Sequence, residues 1–347
     1  MLIAGRRVAL ALGSGGARGY AHIGVINELR SRGYEVVGIA GSSMGALVGG
    51  IHAAGSLDEF ADWARTLTQR AVLRLLDPSI TAAGVLRAER FLGTVREMLG
   101  TITIEELSMP YTAVATDLIA GKSVWLQRGP LDAAIRASIA IPGVIAPHVL
   151  DGRLLGDGGI LDPLPMAPIA AVNADLTVAV SVSDAESESG TELTSPEPRP
   201  TTEWLNKLLR STAALLDTNT ARTILDTPTA RSMLNRFGTG TTDLEAEAVN
   251  EADANEPGAD EPEAVIPKLG SFAVMSRTIE IAQAALARHQ LASYPPDLLI
   301  EVPRSACRSL DFHRANEIID LGHELAARAL DTFELRAATE QRDDDGL

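Results

Sequence analysis

One serine of the sequence stands in a setting that could make it a nucleophile. Gly41 and Gly45 flank Ser43 in a Gly-Ser-Ser-Met-Gly run, which fits the pattern G-x-S-x-G. The run lies where an apolar strand predicted over Glu35–Ala40 passes into a small-residue helix predicted over Ser43–Ala54. The glycines allow a tight strand-to-helix turn that exposes the Ser43 hydroxyl, so Ser43 is a candidate for attack on an acyl carbon. The alternative is a plain turn in which Ser43 caps the helix.

A glycine-rich loop, residues 13–19 with the sequence Gly-Ser-Gly-Gly-Ala-Arg-Gly, follows a predicted strand over Val8–Leu12 and opens the next helix. Outward-pointing N–H groups and a helix N-terminus can hold either a phosphate or a developing oxyanion. A dinucleotide site would want G-x-G-x-x-G, but Arg18 stands at the third glycine position. A looser glycine spacing with Glu35 further along keeps nucleotide binding open, and a turn without any ligand is a third alternative.

Asp157 is the candidate base. It lies in a Gly-Asp-Gly-Gly run over residues 156–159, just after a hairpin predicted around the turn pair Asp151-Gly152. Glycines on both sides would let this loop approach the nucleophile with the carboxylate facing it. Taken alone, the run is more typical of a simple turn, and the catalytic interpretation gains weight only alongside Ser43.

The histidines favour a serine–aspartate pair over a Ser-His-Asp triad. An α/β-hydrolase triad needs a histidine after the acid, yet His289, His313 and His323 fall within helical patterns. His22 lies close to the glycine loop but inside the predicted helix over residues 17–32, so we do not assign it a catalytic role. The six histidines and the single cysteine form no zinc-ligand spacing, so a metal site is not expected.

The pattern of elements indicates an α/β fold. The first fifty residues alternate strand, helix, strand, helix, and the first strand is a continuous apolar run, as in a strand buried in a parallel sheet. From Leu57 to Leu75 apolar residues recur every three or four positions, which predicts a core-facing helix, with a lipid-facing cap near an active site as the alternative. Further strands are predicted at 111–115, 123–126, 176–182 and 298–302, and helices near 201–217, 270–292 and 313–337.

The distribution of acidic residues along the chain indicates the domain organisation. The net charge of −16 comes mainly from acids in residues 184–198, 237–267 and 343–347, so the rest of the chain is close to neutral. Segments 184–200 and 237–267 are poor in large apolar residues and predict disordered insertions. We expect one domain over residues 1–347 with these two insertions and a flexible tail over 338–347.

Composition also bounds location and partners. A run of five apolar residues after Arg6-Arg7 is too short for a signal peptide, and no stretch of 18 apolar residues predicts a spanning helix. One cysteine, Cys307, forms no intramolecular disulfide, and only three lysines accompany 27 arginines, as in GC-rich coding sequences. We expect a bacterial cytoplasmic protein, at most peripheral at a membrane, with no nucleic-acid partner; its oligomeric state is left open.

These residues resemble a known family, the patatin-like phospholipases, and in particular a bacterial branch similar to the esterase domain of neuropathy target esterase. Gly15 to Gly19 is similar to the family's G-G-x-[RK]-G loop, Ser43 to its nucleophile, and Asp157-Gly158-Gly159 to its D-G-[GA] motif. Residues 137–147 are similar to the family's segment before the hairpin. Two departures stand out, since Ile145 replaces a frequent aromatic residue and Asp162 replaces a frequent asparagine.

The resemblance implies a three-layer α/β/α domain around a mostly parallel sheet, and hydrolysis of lipid acyl esters by a Ser43–Asp157 dyad without a cofactor. It also implies an oxyanion hole formed by backbone N–H groups. The residues assigned to that hole are Gly15, Gly16, Ala17 and Arg18, and the supporting glycines are Gly19, Gly41, Gly45, Gly158 and Gly159. The Arg18 side chain either contacts a substrate phosphate or fixes the loop, and we favour the second role.

Two other functions remain open at this stage. A regulatory protein could bind a nucleotide or an acyl ligand with the same glycine loop and perform no catalysis. Alternatively, the enzyme could transfer the acyl group to an acceptor other than water. The sequence does not set the headgroup, acyl length or regiochemistry of a lipid substrate.

Overall fold

The computed structural model describes residues 5–75, 88–183 and 271–344, which all belong to one compact unit of residues 1–189 and 268–347. The predicted insertions 184–200 and 237–267 and the predicted helix 201–217 lie outside the described residues. The strands are β1 Arg7–Leu12, β2 Glu35–Ser42, β3 Tyr111–Asp117, β4 Lys122–Leu126, β5 His148–Leu150, β6 Arg153–Asp157, β7 Leu176–Ser183 and β8 Leu298–Pro303. The helices are α1 Ala21–Ser31, α2 Met44–Ala53, α3 Leu57–Arg65, α4 Gln69–Leu75, α5 Glu89–Leu99, α6 Leu131–Ser138, α7 Met166–Ile169, α8 Ser271–Ser293 and α9 Ala315–Asp344.

The eight described strands form one sheet in the order β5-β6-β3-β2-β1-β7-β8, with β4 paired to β3. Strands β3, β2, β1, β7 and β8 are parallel, whereas β4 and the β5–β6 hairpin add antiparallel strands at one side. The predicted mostly parallel α/β sheet is therefore confirmed.

The sheet is covered on both faces. In β1 alternate residues serve opposite faces, since Leu10 packs in the main core and Ala11 packs in a second, smaller cluster. The main core includes buried residues of α1, α2, α3, α5, α6 and α9, while the second cluster includes residues of α7 and α8. This arrangement is the expected three-layer α/β/α architecture.

The structure divides the helix predicted over Leu57–Leu75 into α3 and α4. Two threonines explain the break, because their hydroxyls bond locally to the backbone: Thr66 Oγ1 donates to Trp63 O over 2.7 Å, and the Ala71 N–H donates to Thr68 Oγ1 over 3.2 Å. The predicted core-facing role fits α3, whose Phe60 is fully buried.

The final helix is longer than expected. It continues through Asp344 and so includes most of residues 338–347, for which the sequence predicts a flexible tail. Thr339 Oγ1 donates to Leu335 O within this helical extension over 2.9 Å. His313, expected in the same helix, lies in a short 3₁₀ helix just before it.

Candidate functional site

Ser43 lies in the turn between β2 and α2. Its backbone has a positive φ of 55°, which residues other than glycine rarely adopt. The turn brings α2 against β1: a Cβ on Gly45 would lie 2.1 Å from the carbonyl oxygen of Leu12. Only glycine fits there, so the sequence G-x-S-x-G has a local structural cause. The hydroxyl of Ser43 is directed to Asp157, and Ser43 itself is 4% exposed.

Strand β3 brings Ser43 and Asp157 together. Its first half pairs in parallel with β2, ending where Ser42 stands opposite Val114. The same edge then pairs antiparallel with β6, ending where Asp157 stands opposite Ala115. The carboxyl ends of β2 and β6 therefore meet head to head, which places residues 114 positions apart in sequence next to each other.

Asp157 is tied closely into this junction. Its Oδ2 accepts a hydrogen bond from Ser43 Oγ over 2.5 Å, and its Oδ1 accepts one from the Gly159 N–H over 2.7 Å. Thr116 Oγ1 donates to the Asp157 carbonyl over 2.9 Å. Burial of the carboxyl group raises the pKa of Asp157 to about 6, although the bonds from Ser43 and Gly159 act in the opposite direction.

The glycine loop approaches the same point. Gly16 has φ 57°, and a Cβ there would lie 2.3 Å from the carbonyl oxygen of Ser309. Of the four N–H groups expected in the oxyanion hole, that of Ala17 donates to Ser309 O over 2.9 Å and that of Arg18 donates to Gly15 O over 3.3 Å. Because these two are already used within the protein, we narrow the expected donors to Gly15 and Gly16. Within the described residues, the N–H groups of Gly15 and Gly16 have no acceptor.

Seven glycines of the three motifs are tightly enclosed by neighbouring atoms. A Cβ added to any of them would come within 3.0 Å of another atom. This holds for Gly15, Gly16, Gly19, Gly41, Gly45, Gly158 and Gly159. At Gly19, Gly158 and Gly159 the close atoms include ones from another of the three motifs, so the motifs pack directly on one another there.

The Arg18 side chain is 8% exposed and binds the protein around it. Its Nε donates to Arg304 O over 3.0 Å and its Nη1 donates to Ser309 Oγ over 3.0 Å. Glu280 of α8 lies 3.4 Å from the same Nη1. These contacts favour the loop-fixing role over contact with a substrate phosphate.

His22 is fully buried beneath the loop, with Nε2 2.8 Å from Gly13 O. Burial lowers the pKa of His22 to about 4, so the ring is neutral near pH 7 and Nε2 carries the proton donated to this carbonyl. His289 and His323 lie in α8 and α9. Within the described residues no histidine bonds to Ser43 or Asp157.

Two comparisons with known proteins bear on the family of this chain. Residues 10–170 fit the model of a family described as patatin-like phospholipase. An uncharacterized NTE family protein of Mycobacterium tuberculosis is 66% identical to this chain over 337 residues, covering 95% of this chain and 92% of that protein. The chain belongs to the patatin-like phospholipase family.

More distant relatives share only part of their length with this chain. Patatin-like phospholipase domain-containing protein 6 of Homo sapiens is 31% identical over 189 residues, which is 52% of this chain and 14% of that protein. Neuropathy target esterase sws of Drosophila melanogaster is 30% identical over 199 residues, which is 55% of this chain and 14% of that protein.

Several residues around the site were not singled out from the sequence. Ser138 Oγ accepts a hydrogen bond from the Ser43 N–H, while Glu280 and Ser309 hold Arg18. Ser138 lies inside residues 137–147, the segment similar to the family's, and this similarity is the one sequence signal that could have identified it. Glu280 and Ser309 are separated from Arg18 by more than 260 residues and carry no local signal.

The two departures from the family pattern lie near the site. Ile145 is buried and lines an apolar cavity next to Ser43. Asp162 is 4% exposed, its Oδ1 has no hydrogen-bond partner among the described residues, and burial raises its pKa to about 6. The described part of the chain contains no cluster of metal-binding side chains and no helix long and apolar enough to cross a membrane.

Proposed function

We propose that this protein is a serine acyl-ester hydrolase of the phospholipase, lysophospholipase or esterase type, with Ser43 and Asp157 as its catalytic dyad. The observation that carries the proposal is the 2.5 Å hydrogen bond from Ser43 Oγ to Asp157 Oδ2 within a cavity of about 120 Å³. Membership of the patatin-like phospholipase family supports lipid acyl hydrolysis as the class of reaction.

The geometry supports a two-step mechanism. As Ser43 Oγ forms a bond to the ester carbonyl carbon, its proton passes to Asp157 Oδ2. Collapse of the tetrahedral intermediate breaks the bond to the alcohol, which leaves with that proton. Water then attacks the acyl-enzyme and gives a proton to Asp157. Collapse of the second tetrahedral intermediate breaks the bond between the acyl carbon and Ser43 Oγ, which takes this proton back from Asp157, and the carboxylic acid leaves.

A carboxylate is an ordinarily weak base toward a serine hydroxyl, and burial compensates for this in part. The raised pKa of Asp157 makes its carboxylate a stronger proton acceptor while leaving most of it ionised at pH 7. The N–H groups of Gly15 and Gly16 are the donors available to a negative carbonyl oxygen, and one well-placed donor contributes on the order of 3 kcal/mol to the barrier.

The test is hydrolysis of a short-chain p-nitrophenyl ester and of a lysophospholipid by wild type, Ser43→Ala and Asp157→Asn. Both variants should lose activity by at least 1,000-fold while keeping the circular dichroism spectrum of the wild type. A fluorophosphonate should label the wild type and leave both variants largely unlabelled, because the reagent marks activated serines.

Other outcomes identify the alternatives. An inactive, unlabelled wild type that is stabilised against heat by a nucleotide would support the non-catalytic regulator and overturn the hydrolase. Product analysis with an added alcohol or lysolipid separates acyl transfer from hydrolysis. A cytoplasmic location with peripheral membrane contact remains part of the proposal, to be checked by cell fractionation.

A further inference from the structure

The antiparallel end of the sheet projects beyond the dyad. Strand β3 passes the position opposite Asp157 and continues to Asp117, about 7 Å further along the strand. The turn between β3 and β4 and the turn of the β5–β6 hairpin both lie past this point, because β4 and β6 pair antiparallel with this part of β3. These two turns, residues 118–121 and 151–152, therefore extend from the edge of the sheet that carries Ser43.

One face of this projecting part is open to solvent. Residues directly opposite each other in neighbouring strands share a face of the sheet, and so do alternate residues of one strand. Leu118 lies opposite Leu154, and Leu154 lies opposite Val149. Trp125 belongs to the same face, since it lies opposite Val114. The other face packs on α6, whereas here Trp125 is 47% exposed and Val149 is 66% exposed.

The turn between β3 and β4 presents an isoleucine to solvent. Asp117 Oδ1 accepts hydrogen bonds from the N–H groups of Ile119 and Ala120 over 3.0 and 2.9 Å, which fixes the turn. Ile119 is 81% exposed. Of the eight large hydrophobic side chains that are exposed within the described residues, four lie on this turn and the open face. We call them the apolar patch: Leu118, Ile119, Trp125 and Val149. Such a cluster is typical of a surface that binds another apolar phase.

The charges around the apolar patch favour a lipid surface. Lys122 and Arg153 are exposed beside the two turns, and Asp151 is the one exposed acid within residues 118–123 and 150–153. The local charge is therefore positive in a chain of net charge −16. Exposed aliphatic side chains with a tryptophan behind them and basic side chains at their border suit the interface of a phospholipid bilayer, whose phosphates are negative.

We propose that the apolar patch docks this protein on the surface of a phospholipid bilayer, with Lys122 and Arg153 at the lipid phosphates. The choice of a bilayer rests in part on the proposed hydrolase function, since a bilayer holds esters that Ser43 could attack. The two projecting turns and Ser43 share one edge of the sheet. Docking through the patch therefore turns the catalytic edge toward the membrane.

Sedimentation with sucrose-loaded vesicles measures docking without any catalysis. Wild type should bind vesicles of phosphatidylcholine that contain about 30% phosphatidylglycerol. Ile119→Ser should lower the partition coefficient about tenfold, because one large aliphatic side chain no longer enters the bilayer. Leu335→Ser removes a similarly exposed side chain from α9 and should leave the partition coefficient unchanged.

The basic side chains are tested separately. Lys122→Gln should lower binding to the anionic vesicles about fivefold and have little effect on binding to pure phosphatidylcholine. Ile119→Ser should weaken binding to both kinds of vesicle. Arg336→Gln, at an exposed position of α9, is the matched control for charge. Equal losses in Lys122→Gln and Arg336→Gln would overturn the placement of Lys122 at the phosphates.

Tryptophan emission locates the contact. The emission of wild type should shift to shorter wavelength when vesicles are added, because Trp125 enters a less polar environment. Trp125→Phe should still sediment with the vesicles but lose this shift. A shift that persists in full in Trp125→Phe would place the contact elsewhere on the protein and overturn the proposal.

Activity separates a failure of docking from a failure of the hydrolase. Ile119→Ser should keep the wild-type kcat/KM on p-nitrophenyl acetate in solution and lose about tenfold on p-nitrophenyl palmitate carried in the vesicles. Wild type that hydrolyses the acetate but binds no vesicle, or binds equally well after Ile119→Ser, would overturn docking and leave the hydrolase. Wild type that binds through the patch but hydrolyses neither ester would overturn the hydrolase alone.

The rival occupant of the apolar patch is a second copy of this chain. Gel filtration with light scattering measures the mass of wild type and of Ile119→Ser without vesicles. We expect the same mass for both proteins. A wild-type dimer that Ile119→Ser dissociates, together with no binding to vesicles, would show that the patch is a protein interface and overturn the proposal.

Discussion

The backbone N–H of Ser43 donates a hydrogen bond to Ser138 Oγ over 2.9 Å, and the same hydroxyl donates to the carbonyl of Val114 over 2.6 Å. Ser138 is fully buried at the end of α6. It links the turn that carries Ser43 to β3, the strand on which β2 and β6 meet. Ser138 is thus a positioning residue, since it fixes the backbone of Ser43 without facing its hydroxyl.

Ser138→Ala should therefore lower kcat about tenfold with little change in KM. It leaves the Ser43 N–H and the Val114 carbonyl without this partner, which costs about 1–3 kcal/mol of unfolding free energy. Ser138→Thr keeps the hydroxyl and should restore most of kcat, even where its extra methyl group lowers stability. Urea unfolding and steady-state kinetics on the three proteins check this, and a kcat that follows stability alone would contradict the positioning role.

The pH profile of kcat/KM should have an acidic limb centred near pH 6. The pKa of Asp157 is raised to about 6 by burial, and the mechanism needs the carboxylate, so activity falls about tenfold per unit below that pH. Asp162 has a similar pKa but takes no part in the mechanism, so Asp162→Asn should keep the limb. The measurement follows p-nitrophenol at a wavelength insensitive to its ionisation, and a flat profile down to pH 4.5 would exclude Asp157 as the base.

Asp162 should lower stability at neutral pH. Its pKa is raised from 3.8 to about 6 in the folded protein, so the folded state binds a proton more tightly and unfolding free energy falls as pH rises through this window. The loss is at most about 3 kcal/mol by pH 7. Asp162→Asn should recover it at pH 7 and gain little at pH 4. Asp151→Asn, in the exposed hairpin turn, serves as the control, and a gain independent of pH would contradict this account.

Arg18 should act through its planar group, because it reaches Arg304 O and Ser309 Oγ with two different nitrogens. Arg18→Lys keeps the charge but offers one donor group, so the glycine loop loses a restraint and kcat should fall about tenfold to a hundredfold. Arg277→Lys is the matched control, since Arg277 is half-exposed and lies 3.6 Å from the same Glu280. Equal losses in both variants would show that the arginine contact with Glu280 matters and the loop contacts of Arg18 do not.

Local sequence patterns predicted the α/β fold and identified Ser43, Asp157 and the glycine loop as candidate site residues. Local patterns could not predict that Ser43 and Asp157 are in contact, because the meeting of β2 and β6 on β3 depends on pairing between strands distant in sequence. Helices α5 and α6 were not predicted, although the spacing of Leu92, Val95 and Leu99 in α5 is helical. The use of the Ala17 and Arg18 N–H groups within the protein also depends on contacts that single-chain patterns do not contain.

The nucleophile turn should tolerate no side chain at Gly45, whereas another helical glycine should. A Cβ at Gly45 would lie 2.1 Å from the Leu12 carbonyl oxygen, so Gly45→Ala must displace α2 from β1. We expect a loss of more than about 3 kcal/mol of unfolding free energy, or failure to fold, with loss of activity. Gly93 of α5 has no atom within 4 Å of its Cβ position, so Gly93→Ala should gain about 1 kcal/mol through helix propensity and keep full activity. Thermal unfolding and ester hydrolysis compare the two, and a stable, active Gly45→Ala would contradict the close packing of α2 on β1.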